Sequence, residues 1–148
     1  MIRWKKQIIL MAGFALSVVT LSACHHAPDE SRVREAIASV AHAAEAGDAG
    51  DVVAPLVDDF DGNDGELDRG KIRNLVRLLA LRDDHIGVIL GPVSIEHRGE
   101  RIVARFTVTL SSGGKLLPDQ LGVYKVEAAW KEQGGTWRCY TASWTHAI

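Results

Sequence analysis

The stretch "DDFDGNDGELD", Asp58 to Asp68, packs six acids and two glycines into eleven positions. Three kinds of chemistry compete for such a pattern. A calcium loop of the EF-hand type wants D-x-[DN]-x-[DN]-G and a glutamate at position 12. Counted from Asp59, Asp61 and Asn63 fit, but position 6 is Asp64 where the bend needs glycine, and position 12 is Gly70 where a bidentate carboxylate is required. The loop fails at both. An aspartate held in a dry pocket with a raised pKa could shuttle a proton. Finally, Asn and Gly accept positive φ, so Asn-Asp-Gly is a turn former, and Asp68 stands where it could cap a following helix. The residues favour the turn: a junction that also rims a pocket, with Phe60 plugging the core beside it.

The other reactive residue types are thinly spread. His25 and His26 are adjacent in a polar stretch with no fixed geometry, and nothing in the chain has the spacing of a metal site. Asp83-Asp84-His85 has the composition of a helix end. Ser111, Ser112 and His146 form no nucleophile and base pattern. No cofactor motif is present. Five aromatic residues, Tyr124, Trp130, Trp137, Tyr140 and Trp144, cluster near the C-terminus and suit either a core or the wall of a ligand cavity.

The chain has 148 residues, 47% hydrophobic and 24% charged, a globular composition with room for one domain. Its first residues differ in kind. Arg3, Lys5 and Lys6 precede "IILMAGFALSVVTLSA", an apolar run of 16 residues, shorter than the roughly 20 a spanning helix needs. The run closes in "LSAC", which resembles the lipobox of bacterial lipoproteins. The resemblance implies cleavage before Cys24, acylation of its thiol and amine, and anchoring in a lipid bilayer by two or more acyl chains, which together hold far more firmly than one. His25 follows, not the aspartate associated with inner-membrane retention, so the periplasmic face of the outer membrane is the expected address. The chain then divides into a signal peptide (1–23), a lipidated tether (24–31) and one domain (32–148). Loss of the signal takes the 17 Lys+Arg to 14 while the 19 Asp+Glu stay, so formal charge moves from −2 to −5. With no basic stripe left, nucleic acid is not an expected partner. Cys139 is then the sole cysteine besides the lipidated one, with the character of a buried, inert thiol.

Periodicity supplies the scaffold. Val33, Ile37, Val40 and Ala44 make one stripe of a first helix, with Asp29 or Ser31 able to cap it and Gly47 to end it. "DAGDVVAPLVDDF" predicts a second, shorter helix with Pro55 near its first turn. A third runs from Asp68, with Ile72, Leu75, Val76 and Leu79 apolar. From His85 the period becomes two, in five runs separated by Gly91-Pro92, Arg98-Gly99-Glu100, Gly113-Gly114 and Gly134-Gly135. Ile102, Ala104, Phe106, Val108 and Leu110 share one face, as do Tyr124, Val126, Ala128 and Trp130. Helices first and strands afterwards predict an α+β fold, three N-terminal helices packed on a mostly antiparallel sheet.

That order, with "AHAAEAGDAGDVVAPLVDDF", "LDRGKIRNLVR" and "GGTWRCYTASW", resembles the nuclear transport factor 2-like superfamily, the cone-shaped fold shared with ketosteroid isomerase and SnoaL-like proteins. The resemblance implies a curved sheet, a cavity on its concave face, and frequent homodimers across the open sheet face. It also places Asp64 near the general base of the isomerase. The matching first-helix position for that enzyme's tyrosine is Val40, however, and the strand segments 86–110 and 123–144 hold no aspartate, so the oxyanion donors lack counterparts. The expectation is therefore a non-catalytic module holding a small apolar ligand or a protein, with Phe60, Tyr124, Trp130, Trp137 and Trp144 as ligand-binding candidates. An enzyme using Asp64 and an envelope-assembly accessory protein are the alternatives.

Overall fold

The computed structural model describes residues 28–82, 85–112 and 122–147. Cys24, the signal segment and Asp83-Asp84 lie outside them. Helix α1 (Asp29–Ala46) opens the fold, so its first turn occupies three residues expected in the tether. No side chain caps it: Pro28 is the N-cap residue, and Asp29 instead accepts from Arg32 at 3.4 Å and from Trp137 Nε1 at 3.0 Å. Gly47 ends the helix at φ 70°, its N–H returning to the Ala43 and Ala44 carbonyls. Glycine fits there twice over, since a Cβ would also come within 3.1 Å of Ala80 Cβ.

The expected second helix is only partly present. Helix α2 (Ala49–Val53), capped by Asp48 through the Asp51 N–H, stops before Pro55. Residues Leu56–Gly62 form strand β1 instead. This strand shows no simple alternation: Leu56, Val57 and Phe60 are buried and Asp58 and Asp59 exposed, because its pairing shifts between Leu56 and Asp61. A turn leads to the two-residue strand β2 (Leu67–Asp68) and to α3 (Arg69–Leu81), whose start Asp68 caps through Lys71 N–H at 2.8 Å. The helices therefore do not form one N-terminal block.

The remaining strands follow the period-two runs: β3 (Ile86–Leu90), β4 (Ser94–Arg98), β5 (Arg101–Ser112), β6 (Gly122–Gln133) and β7 (Thr136–His146). One seven-stranded sheet has the order β2-β1-β7-β6-β5-β3, with β4 also paired to β5. All pairings are antiparallel except β1 with β7, which makes the sheet mixed. Register places Ile102, Trp130 and Cys139 side by side, then Ala104, Ala128 and Ala142, then Phe106, Val126 and Trp144. The β7 members change from odd to even numbers because the pairing shifts between Ala129 and Trp130, so Trp137 and Cys139 share a face with Ala142 and Trp144.

That face meets the helices. Val33 and Ile37 of α1, Val52 and Val53 of α2, Val76 of α3, and Ile102, Ala104 and Trp130 of the sheet belong to one buried cluster. Arg34 and Arg32 fasten α1 across it by donating to the Val93 and Gly135 carbonyls. Glu30 adds a 2.9 Å contact to His97 Nε2.

Candidate functional site

Between α1 and the sheet lies a cavity of about 280 Å³. Among the described residues its wall is apolar: Ile37, Val40 and Ala44 from α1, Leu56 and Phe60 from β1, and inward residues of β3, β5, β6 and β7. The period-two patterning produces this directly, since each strand turns alternate residues to the helix side. Burial grades along the wall. Trp130, Cys139 and Ala128 are at most 4% exposed, while Val88, Val108, Leu110 and Trp144 are half-buried. The Trp130 end is therefore the closed one.

Two wall residues carry polar hydrogens in this sealed region. The Cys139 thiol donates to the Thr141 carbonyl at 3.4 Å, and burial pushes its pKa up to about 12. It stays protonated at neutral pH and is no nucleophile. The Trp130 Nε1–H is buried and has no hydrogen-bond partner among the described residues.

Of the five aromatic or apolar candidates, Phe60, Trp130 and Trp144 line the cavity. Tyr124 and Trp137 do not. Tyr124, at the far end of β6, makes an edge contact with His146 at 5.0 Å between centroids and 71° between planes. Trp137 is spent on the fold, its indole N–H held by Asp29.

Asp64, the candidate base of the alternative enzyme reading, stands apart from the cavity. It sits at φ 54° in the exposed turn between β1 and β2, and the cavity wall does not include it. A carboxylate outside the cavity wall has no enclosed substrate within reach, so the geometry gives it no general-base role. Its acidic neighbours are equally structural: Asp58 pairs with Arg69 at 3.1 Å, Asp61 accepts from Gly65 N–H at 2.6 Å, and Asp68 caps α3.

Asn63 in that turn has a role its residue type only hinted at. At φ 50° its backbone N–H donates to the Ala142 carbonyl at 2.9 Å, and its Oδ1 accepts from the Trp144 N–H at 2.8 Å. It thus extends the β1–β7 pairing by one rung and fixes the backbone of a cavity residue. Gly62 completes the arrangement. A Cβ there would meet Leu67 O at 2.8 Å, Trp144 Cη2 at 2.9 Å and Phe60 Cε1 at 3.1 Å, so glycine lets two wall aromatics close over the strand.

This architecture is that of nuclear transport factor 2-like proteins. A nuclear transport factor 2-like protein from Cytophaga hutchinsonii superposes with a TM-score of 0.67 at 14% identity, over 82% of this chain and 100% of that one. A second, with a cystatin-like fold, from Novosphingobium aromaticivorans, gives 0.64 at 21% identity over 80% and 81%. A candidate dehydratase of the same family from Streptomyces avermitilis gives 0.66 at 15% identity over 81% and 96%. No sequence-family model matches the chain, and no curated protein matches it in sequence. At these identities the likeness defines the fold, and function must come from the site.

Proposed function

We propose that this protein is a lipid-anchored envelope lipoprotein whose nuclear transport factor 2-like domain holds a small apolar ligand without catalysing a reaction. One observation carries the binding reading: a cavity near 280 Å³, close to the lower end of ordinary ligand sites, is walled only by apolar side chains. Among the described residues no carboxylate, imidazole or ionised thiol lines it, so acid–base or covalent chemistry has no group there to start from. The anchoring half rests on the basic head, the apolar run and "LSAC". Acylated Cys24 would hold the domain at the bilayer, with the periplasmic face of the outer membrane as its address. A homodimer across the sheet face turned from the helices belongs to the same reading.

Native mass spectrometry of the chain carrying Cys24→Ser should show retained ligand mass. Ala44→Leu, which fills the cavity from α1, should remove it while leaving the circular dichroism spectrum unchanged. Ligand-free protein from every growth condition and no uptake of apolar probes would refute the binding reading. Metabolic labelling with an alkyne fatty acid tests the anchor, and label persisting in Cys24→Ser would refute acylation there.

A further inference from the structure

Resting on the reading that Cys24 is acylated, we infer that helix α3 docks on the bilayer surface, its leucines among the acyl chains of an anionic leaflet and its cations among the phosphates. Among the described residues the exposed large hydrophobic side chains are Leu75, Leu78 and Leu81, with Ile89 of β3, so three of the four stand on one helix. Leu81 is 86% exposed, and Leu75 and Leu78 are 45% and 44% exposed. Spaced at i, i+3 and i+6, they fall within about a third of the helix circumference. Val76, the buried residue of α3, turns the other way into the core. Water gives three adjacent leucines no favourable partner, and such a patch marks an interaction surface.

The charges choose the partner. From Arg69 to Arg82 the chain carries five cations and no acid, and acids resume only at Asp83. Arg69 pairs with Asp58, and the Asp68 carboxylate caps the first turn. Lys71 and Arg82 share the arc of the leucines and Arg77 borders it, all three exposed. Leucines in the middle of a face, with long cationic side chains reaching out beside them, form the pattern of a helix lying in a lipid interface. A second copy would bring Lys71, Arg77 and Arg82 against their own kind, whereas an anionic leaflet attracts each of them.

The tether supplies the opportunity. Only His25 to Pro28 separate Cys24 from α1, a reach of at most about 18 Å. The domain therefore stays at the surface in every orientation, where a high effective concentration favours even a weak contact. Helix α1, about 27 Å long, runs from that tether to Gly47, which packs against Ala80 of α3. The acyl anchor and the α3 face are thus separate points of attachment, and together they lay the domain on its side.

Acylated protein reconstituted sparsely in vesicles tests this, with bimane on Asn74→Cys as reporter and lipid brominated in its acyl chains as quencher. Asn74 is exposed within the leucine arc and the Cys139 thiol is buried, so the label has one free target. In phosphatidylcholine vesicles with about 30% phosphatidylglycerol, the reporter should be quenched about 3-fold more than the same label on Glu127→Cys of the outer sheet face. In phosphatidylcholine alone the two should be close. Arg77→Gln with Arg82→Gln should lower the ratio of docked to free about 10-fold, and Leu81→Ser about as much. Neither change should move the melting temperature, since all three side chains are exposed. Quenching at Asn74 that matches Glu127, that is equal in both lipids, that needs high protein density as a second copy would, or that needs an added acidic protein would overturn the inference while the protein still floats with its vesicles. Protein that carries no acyl chain and does not float would remove the anchoring reading, and this inference with it.

Discussion

The two faces of strands β5 and β6 are built from alternate residues of the same twelve-residue segments, yet they solve opposite problems. On the helix side, Ile102, Ala104, Phe106, Val126, Ala128 and Trp130 exclude charge completely. On the other side Arg105 bridges Glu96 and Glu127 at 2.7 Å each, Arg98 joins Glu96 at 2.8 Å, and Arg101 and Lys131 lie 5.4 and 5.5 Å from the Tyr140 ring centroid. The Glu96, Arg98, Arg105 and Glu127 side chains are 42–53% exposed and exchange partners with water, so they guard solubility and strand register more than stability. The dry face carries the stability and the site together. A one-residue slip in register would trade the two faces, which is why the pairing must be so well specified.

That contrast can be broken most sharply with neighbours on one strand. Ala128→Asp would place a carboxylate among Trp130, Val126 and Ala142 with no counter-charge, and should lower stability by about 3–5 kcal/mol, enough to leave much of the protein unfolded. Glu127→Ala, one residue away, should leave the urea midpoint nearly unchanged. Both are read from the same denaturation curves.

Gly62→Ala comes next. The new Cβ must displace the Leu67 carbonyl or the Trp144 and Phe60 rings, at about 1–3 kcal/mol. Because those rings line the cavity, apolar probe binding should weaken along with the melt.

Titration separates the faces again. The Cys139 thiol ionises ordinarily near 9 but is held to about 12 by burial. Below pH 9 both folded and unfolded chains keep the proton; between about 9 and 12 the unfolded chain loses it and the folded one does not. Stability should therefore fall as pH rises through that window, by on the order of 3–4 kcal/mol, and Cys139→Ala should flatten the alkaline limb relative to the parent. The smallest effect belongs to the outer face. Hydrogen bonds from Arg98 and Arg105 lower the Glu96 pKa from 4.5 to about 2. Its contribution is present above pH 4.5 and is lost as pH falls towards 2, so Glu96→Gln should slightly flatten the acid limb of the same stability profile.

Much of this was legible in the chain because the last five strands obey local rules. Alternation from Ile86 onward assigns each residue a face without knowledge of its partners, and Gly47 and Asp68 behave as their residue types demand. Strand β1 was not legible. "PLVDDF" continues a helical composition past Pro55, and what makes it extended is pairing with β7, some 80 positions later in the chain. The shifted pairing at Leu56 also erases the alternation that would have announced a strand. At the site, residue type and parity pointed to Phe60, Trp130 and Trp144. They could not separate these from Tyr124 and Trp137, which stand elsewhere on the same strands, Tyr124 against His146 and Trp137 held by Asp29. Nor could they show that the Trp130 indole N–H finds no partner among the described residues.

The place of β7 in the sheet order has a consequence for how the molecule is made. Strand β7 lies between β1 and β6 and joins the β2-β1 pair to the antiparallel meander. Until it emerges, neither half has its seam, and the long-range closure it performs is the kind that sets a slow folding rate. A polypeptide clipped before Thr136 lacks the strand that joins β1 to β6. Completion of the sheet thus waits on Thr136–His146.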